Sequence, residues 1–597
     1  SAPVVGESGA GEGQHRSHAN DRERVGLGLG GTAEVVGDIR DRLAEQTPEK
    51  AGDQGQRRAQ PEHRRLVLSD AVRRAPHRVV AGGDTGPRRP PERLVDQPPP
   101  VGRRGSVRHG FDRRAVLHSG EGPVPRPERA FGTDESPVTV AALEHHQVVA
   151  GSAPAGDLVR IVEGGAERWH GGDGWPSILA AMDQMIVRPG GALQGEIPIS
   201  GAKNSVLKLM AATVLTPGRF VIRNVPRISD VDWMADSLVA LGLVVDWADE
   251  HTMTVDATGD ITPEAPYHLV EQMRASTALL GALLARCGEA RIAMPGGDDF
   301  GDRPIDMHLR GLEELGAEIE LSHGTIVAKA PRLTGARVVL EYPSVGATEN
   351  LLLAATRAEG VTVIENAARE PEIADLAAFV NRMGARVVGA GSSTVTITGV
   401  DELHSVEHEV IPDRVEAATY LAILGAARGE LLLRGARHGD LHLLARKLGD
   451  MGMRISPDAA GVWAMATGRP VAVDVATLPY PGIATDYLPM LIALLSVADG
   501  TSFATENLFQ GRFRYVGELT RMGANIRVEG HHMAVRGVER LSGAPVRAFD
   551  IRAGAALVVA AFAAEGETTI HDAHHLDRGY EAMVGRLVAV GADVVGR

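Results

Sequence analysis

The chain has 597 residues, of which 44% are apolar, and its formal net charge is −15. This length allows several domains, and the negative charge argues against non-specific nucleic-acid binding, which needs a basic face. The single cysteine, Cys287, excludes an internal disulfide and a multi-cysteine zinc site.

Residues 1–181 differ in composition from the rest of the chain. They hold 24 arginines but one lysine, and they contain no Met, Tyr or Cys. Because such a segment can bury little apolar surface, we expect it to be largely disordered. The first methionines are Met182 and Met185, and we hypothesise that the natural protein starts at one of them. The alternative is a genuine disordered extension, which an intact mass near that of all 597 residues would support.

The chain offers no signal for a membrane or for secretion. It has no apolar run of roughly 18 or more residues, and its first residues lack the short apolar core of a signal peptide. We therefore expect no membrane contact and a location in the cytoplasm.

From residue 185 the chain repeats one pattern six times. An apolar helix is followed by a glycine and a short strand, and successive glycines lie 66–72 residues apart; a second set of helix-ending glycines recurs every 68–74 residues. Glycine readily adopts the left-handed conformation that ends a helix. The spacing predicts six βαβαββ-like modules that pack into larger bodies. The two sets are Gly218, Gly288, Gly360, Gly429, Gly500 and Gly566, and Gly242, Gly316, Gly384, Gly452, Gly523 and Gly591.

Short strings spread over residues 185–597 carry a resemblance to a known family. They include SGAKN (200–204), MRAS (273–276), PGG (295–297), DRPIDMH (302–308), PSVGAT (343–348), PDRVEA (412–417), ATD (484–486) and LDRGYE (576–581). In this order they resemble the enolpyruvyl transferase family, in its UDP-sugar branch. The resemblance implies an α/β fold of two inverse α/β barrels, one from residues 185–202 and 411–597 and the other, with a lid loop, from 203–410.

The resemblance also implies the reaction and its substrates. The enolpyruvyl group of phosphoenolpyruvate would pass to the 3′-hydroxyl of UDP-N-acetylglucosamine, or a related nucleotide, with release of phosphate and as a step of peptidoglycan synthesis. No metal or organic cofactor is implied.

Anionic substrates need cations in the cleft, and the guanidinium fork of arginine suits phosphate and carboxylate. For any single cation the local alternative is a solvated surface charge. The family strings imply that Lys203 and Arg578 hold phosphoenolpyruvate and that Arg303, on the lid, contacts both substrates. The candidate cations, with one neutral donor, are Lys203, Arg274, Arg303, Arg512, Arg552, Arg578 and Asn204.

Two aspartates are candidates for proton transfer. Asp486 resembles the family's base near the sugar hydroxyl, although its position before an apolar segment is also typical of a helix N-cap. Asp298 stands after PGG where this branch normally has a cysteine. We expect Asp298 to act as a general acid with a pKa raised by burial or by Asp299 and Asp302. Lacking that thiol, the protein should resist fosfomycin, which alkylates the family's cysteine.

The resemblance places the nucleotide on a loop. Ser344, Val345 and Gly346 match the family's uridine- and phosphate-binding turn, whose backbone N–H groups can meet a diphosphate. The local alternative is a plain turn into a helix. The remaining residues expected to line this pocket are Pro304, Ile305, Asp306, Met307 and Leu508.

The match has departures around the sugar and the lid, at Leu488, at 507–513 and at 298–300. They keep two alternatives open. One is an enolpyruvyl transferase acting on another nucleotide or nucleotide sugar, and the other is a non-catalytic UDP-sugar sensor. Shikimate-phosphate chemistry is disfavoured because the uridine-loop string is present.

Overall fold

The computed structural model describes residues 158–163, 166–171, 182–297, 303–509 and 511–597. All of these belong to one compact unit, His146–Arg597. Within the segment expected to be largely disordered, strands β1 (Leu158–Glu163) and β2 (Ala166–Gly171) form an antiparallel pair. The rest of 1–181 lies outside the described residues, as do Asp298, Asp299 and Asp302.

Six four-stranded sheets form the outer layer of the described region, and all six share one topology. In each sheet the strand pairing at one edge is parallel, and the other two pairings are antiparallel. This arrangement confirms the prediction of six repeated α/β modules. Their strands, with the separate short pair β24 and β26, are β3 (Gln184–Arg188), β4 (Leu193–Pro198), β5 (Arg219–Arg223), β6 (Val244–Trp247), β7 (Met253–Asp256), β8 (Glu264–Ala265), β9 (Glu289–Ala293), β10 (Glu318–Ser322), β11 (Thr325–Lys329), β12 (Arg337–Val339), β13 (Val361–Glu365), β14 (Arg386–Val388), β15 (Thr394–Thr398), β16 (Glu407–Glu409), β17 (Gly429–Arg434), β18 (Arg454–Asp458), β19 (Gly461–Ala466), β20 (Val475–Ala476), β21 (Thr501–Thr505), β22 (Asn525–Glu529), β23 (His532–Arg536), β24 (Leu541–Ser542), β25 (Pro545–Arg547), β26 (Ala564–Glu565), β27 (Thr568–His571) and β28 (Asp593–Gly596).

Helices alternate with these strands. They are α1 (Lys203–Ala212), α2 (Ser229–Ala240), α3 (Tyr267–Val270), α4 (Ala278–Cys287), α5 (Asp306–Glu314), α6 (Val345–Ala355), α7 (Pro371–Arg382), α8 (Arg414–Ala427), α9 (His442–Asp450), α10 (Leu488–Leu495), α11 (Arg514–Arg521), α12 (Ile551–Phe562), α13 (His574–Asp577) and α14 (Met583–Ala589). Helix α4 packs against both α1 and α6, and α8, α10 and α12 pack on one another. Most residues of these six inner helices are both buried and apolar. No helix in this part of the chain is both long and apolar enough to cross a membrane.

The buried apolar residues form two separate cores. One core takes its residues from Met185–Ile199 and from Val415–Val594. The other takes them from Ala202–Ile411. The chain therefore passes from one core to the other near Gly201 and returns near Pro412.

The twelve repeat glycines all have positive φ, between 73° and 142°. A side chain is strained in this region, so glycine is the residue that lets each helix stop and the next strand return. Gly288 also explains why the thiol of Cys287 is exposed, because α4 ends at Cys287 and Gly288 turns the chain at the surface.

The two crossings between the cores touch each other at Gly201. Gly201 and Pro412 form an isolated antiparallel bridge, and on either side Ala202 N donates to Ile411 O at 2.7 Å and Asp413 N donates to Ser200 O at 2.8 Å. A Cβ atom at Gly201 would lie 1.7 Å from the carbonyl oxygen of Asn224. Only glycine at position 201 therefore leaves room for the backbone of Asn224 beside the first crossing.

Gly201→Ala is expected to lower the thermal unfolding midpoint sharply or to prevent accumulation of folded protein, since backbone must move to admit the methyl group. Gly449→Ala is the matched control, because Gly449 lies inside α9 with nothing within 4 Å of an added Cβ. Alanine should be neutral or stabilising there. Equal midpoints for the two variants would contradict the close-approach argument.

Candidate active site

The N-termini of inner helices from both cores meet in one polar region. Lys203 opens α1, and its backbone N–H donates to Asp413 Oδ2 at 3.0 Å. The other oxygen, Asp413 Oδ1, caps α8 by accepting from Val415 N and Glu416 N at 2.7 and 3.1 Å. Helix N-termini carry partial positive charge, so this region favours anions.

One carboxylate joins two of the predicted cations. Asp230 accepts from Lys203 Nζ at 2.7 Å and from Arg578 Nε at 2.9 Å. The three side chains are between 3% and 11% exposed. Arg578 also lies over the ring of Trp233, with 5.3 Å from its guanidinium carbon to the ring centroid. Lys203 and Arg578, which are 375 positions apart in sequence, therefore share one buried partner.

A second carboxylate joins the next two cations. Asp486 Oδ1 accepts from Arg512 Nη1 at 2.9 Å, and Asp486 Oδ2 lies 3.4 Å from Arg552 Nη2. Both arginines are buried, whereas about a quarter of Asp486, 27%, is exposed. Burial would raise the pKa of Asp486, but Arg552, Arg512 and Lys203 together hold that pKa well below its usual range. The carboxylate is therefore a proton acceptor at neutral pH.

The structure does not show the N-cap role that the local sequence suggests for Asp486. Helix α10 begins at Leu488, and no side chain caps its first turn.

A chain of hydrogen bonds orients Arg552, and each group in the chain donates to the next. Arg552 Nη1 donates to Tyr580 OH at 2.9 Å, and Tyr580 OH contacts Thr419 Oγ1 at 2.9 Å. Thr419 Oγ1 in turn donates to Val415 O, so its oxygen accepts from the tyrosine. All three side chains are buried.

Arg274 and Arg303 lie close enough for their charges to interact. Arg274 Nη2 donates to Pro304 O at 2.9 Å. Burial, with a smaller contribution from the charge of Arg303, lowers the pKa of Arg274 to about 10. Two guanidinium groups held close to each other favour an anion between them.

The predicted nucleotide loop is the start of α6. Ser344 Oγ accepts from Ala347 N at 3.3 Å and so caps the helix. Behind the loop, a Cβ on Gly346 would lie 3.0 Å from the buried ring of His308. Burial, with Arg274 and Lys208, lowers the pKa of His308 to about 3, so its ring is neutral. Its Nδ1 contacts Asn350 Nδ2 at 3.2 Å, which places the proton on Nε2.

The remaining predicted residues are scattered along these elements. Asn204 is the half-buried second residue of α1, and Val345 is the first residue of α6. Ile305 is buried in the core of residues 202–411, and Met307 packs against that core. Asp306 pairs with Arg310 at 2.6 Å on α5. Leu508 N donates to Glu506 Oε1 at 2.8 Å.

Several polar residues of this region are not among the candidate residues named from the sequence. They are Asp230, Asp413, Glu506 and Tyr580, together with the buried pair of Glu372 and Arg414, whose Nε–Oε1 distance is 2.9 Å. A helix N-terminus was a usable signal for Asp230 and Asp413, which lie at the starts of α2 and α8. Within the described ranges, no group of three His, Cys, Asp or Glu side chains is placed to hold a metal ion.

Comparisons with known proteins cover the same part of the chain. A family model described as EPSP synthase (3-phosphoshikimate 1-carboxyvinyltransferase) matches residues 187–587. The UDP-N-acetylglucosamine 1-carboxyvinyltransferase of Mycobacterium bovis is 50% identical over 412 residues, which are 69% of this chain and 98% of that protein. The enzyme of the same name from Gluconobacter oxydans is 50% identical over 415 residues, 69% of this chain and 99% of its own.

Solved structures show a similar architecture. The enolpyruvyl transferase NikO from Streptomyces tendae aligns with a TM-score of 0.63 and 27% identity over 69% of this chain and 98% of its own. An EPSP synthase from Acinetobacter baumannii aligns with a TM-score of 0.56 over 69% of this chain and 99% of its own. At 17% identity the latter shows the fold alone.

Proposed function

We propose that this chain, which belongs to the enolpyruvyl transferase family and within it to the UDP-N-acetylglucosamine 1-carboxyvinyltransferases, transfers the enolpyruvyl group of phosphoenolpyruvate to the 3′-hydroxyl of UDP-N-acetylglucosamine and releases phosphate. This would be the first committed step of peptidoglycan precursor synthesis. We also propose that the protein works in the cytoplasm and that residues 185–202 with 411–597, and residues 203–410, are its two domains.

The observation that carries the proposal is the pairing of four buried cations with two carboxylates. Lys203 and Arg578 share Asp230, while Arg512 and Arg552 share Asp486. A substrate phosphate or carboxylate offers the same kind of acceptor oxygens as these aspartates. An anionic substrate can therefore take over donors that are already held in place, which lowers the cost of orienting them.

The transfer forms a bond between the sugar oxygen and C2 of phosphoenolpyruvate and breaks the bond between C2 and the phosphate oxygen. The sugar hydroxyl must lose its proton for this bond to form. Asp486 is suited to accept that proton because its carboxylate is ionised and partly exposed. Substrate oxygens that draw Arg512 or Arg552 away would raise the pKa of Asp486 and make it a stronger base.

Addition of the sugar oxygen to C2 also requires a proton at C3 of the enolpyruvyl group, and C3 loses a proton again when phosphate leaves, which restores the double bond. We assign this general-acid role to Asp298, which lies next to PGG on the lid and outside the described residues. Since the residue there is not a thiol, an epoxide such as fosfomycin lacks its usual target at this position.

Phosphate release by the full chain tests the proposal. The protein is incubated with phosphoenolpyruvate and UDP-N-acetylglucosamine, with UMP and UDP-glucose as parallel acceptors. Release that requires UDP-N-acetylglucosamine and is lost in Asp298→Ala would support both the acceptor and the acid. Release with only another acceptor would keep the chemistry and change the substrate. Folded protein that binds UDP-sugar but releases no phosphate with any acceptor would overturn the proposal in favour of a sensor.

A further inference from the structure

A buried acid outside the set of predicted site residues ties together the loops that hold Asp486 and Arg512. Glu506 follows the last residue of β21 and is 1% exposed. Its neighbour across the sheet is Thr477, which follows β20, because these two strands are parallel and pair Ala476 with Thr505. The carboxyl ends of both strands therefore bring Thr477 and Glu506 to the same edge.

Both oxygens of Glu506 accept hydrogen bonds. Oε1 accepts from Thr477 Oγ1 at 2.8 Å and from the backbone N–H groups of Leu508 and Phe509 at 2.8 and 3.2 Å. Oε2 accepts from Thr485 Oγ1 at 2.7 Å. The carboxylate thus holds the turn that contains Leu508 and also holds the residue directly before Asp486.

The contact with Thr485 fixes the direction of a hydroxyl. A threonine hydroxyl has one proton, and a carboxylate can only accept, so the proton of Thr485 points at Glu506. The lone pairs of Thr485 Oγ1 are then left for a donor, and Arg512 Nη1 provides it at 3.1 Å. The same Nη1 donates to Asp486 Oδ1 at 2.9 Å.

We propose that Glu506 is a positioning residue for the transfer, acting through the Thr485 hydroxyl to set the place of Arg512 against Asp486. The proposal rests on the proposed function, because Asp486 is the base only if the chain is the transferase. The charge of Glu506 acts on two tyrosines, Tyr342 and Tyr515. The pKa of each tyrosine is raised first by burial and to a lesser extent by Glu506. The charged groups that face Asp486 are Arg552, Arg512 and Lys203.

Glu506→Gln is the first test, because glutamine keeps the shape but offers an NH₂ group where one of the donors now points. We expect kcat/KM for phosphate release to fall by about tenfold to a hundredfold, the effect of leaving one or two buried donors without an acceptor. The acid limb of the kcat/KM profile should also move to higher pH, since a misplaced Arg512 lowers the pKa of Asp486 less. Glu529→Gln is the matched control, because Glu529 is 84% exposed on β22 of the same sheet.

The two substitutions at Thr485 separate positioning from general stability. Thr485→Val has the same shape without the hydroxyl and should reproduce the fall and the shift of the acid limb, whereas Thr485→Ser keeps the hydroxyl and should recover most of the loss. Combining Glu506→Gln with Thr485→Val should add little to either single change, because both break one connection. Full additivity, or an acid limb that stays in place in Glu506→Gln, would overturn the proposal.

Hydrogen exchange keeps this test separate from the proposed function. The amides of Leu508 and Phe509 should exchange faster in Glu506→Gln than in the wild-type protein or in Glu529→Gln, whether or not any acceptor supports turnover. Wild-type protein that releases no phosphate, but whose 505–513 segment loses protection in Glu506→Gln, would contradict the proposed function and leave the structural role of Glu506 standing. Unchanged exchange in this segment would contradict the role of Glu506 itself.

Discussion

Asp486→Asn is expected to lower kcat for phosphate release by about 10²- to 10⁴-fold, the usual contribution of a general acid–base group. Asparagine has nearly the same shape and still offers an oxygen to Arg512, but it carries no charge and cannot take the proton of the sugar hydroxyl. The measurement is the steady-state rate with phosphoenolpyruvate and UDP-N-acetylglucosamine.

The same carboxylate predicts the pH dependence of the wild-type enzyme. Arg552, Arg512 and Lys203 outweigh the effect of burial and hold the pKa of Asp486 below its usual range. A base with a depressed pKa stays ionised as the pH falls, so Asp486 should cause no loss of kcat/KM between about pH 8 and pH 5. Asp450→Asn, at an exposed end of α9, is the control for the substitution itself. A rate within a factor of about three of the wild type in Asp486→Asn would remove Asp486 from the base role.

The repeated part of the fold follows from local chemistry that a sequence displays. Each repeat glycine marks a place where the backbone needs positive φ, and all twelve have it. This requirement involves only a residue and its immediate neighbours, so spacing alone was enough to predict six modules. The inner helices are equally visible, since segments such as Leu488–Leu495 are apolar throughout.

The pairing within the site could not be predicted in this way. Whether Asp486 caps a helix or binds arginine depends on Arg512 and Arg552, which reach it only after folding. Asp230 is an ordinary acidic residue in the first turn of α2 until the chain brings Arg578 to it from 348 positions away. Glu506 similarly follows β21, and its importance depends on hydrogen bonds from Thr477 and Thr485, which come after the neighbouring strand β20. Family resemblance supplied the cations and Asp486, but it did not supply Asp230 or Glu506.

Arg414→Met is expected to lower the free energy of unfolding by about 3–5 kcal/mol, the usual cost of leaving one member of a buried ion pair without its partner. Arg414 Nε contacts both oxygens of Glu372 at 2.9 and 3.2 Å, and Nη1 donates to Tyr487 OH at 3.0 Å. The pair joins α8 to α7, whose apolar residues belong to different cores. Thermal and urea unfolding of the full chain would measure the loss.

Arg337→Met provides the matched control, because Arg337 pairs with Glu365 at 2.7 Å but is 71% exposed. Exposed pairs contribute roughly 0–1 kcal/mol, so this variant should unfold almost as the wild type does. The double variant Arg414→Met with Glu372→Leu should recover much of the stability lost in Arg414→Met, since it leaves no buried charge without a partner. A double variant less stable than Arg414→Met alone would show that the ion pair itself, and not the unpaired Glu372, sets the cost. An Arg414→Met variant as stable as Arg337→Met would show that burial of this pair does not matter to the contact between the two cores.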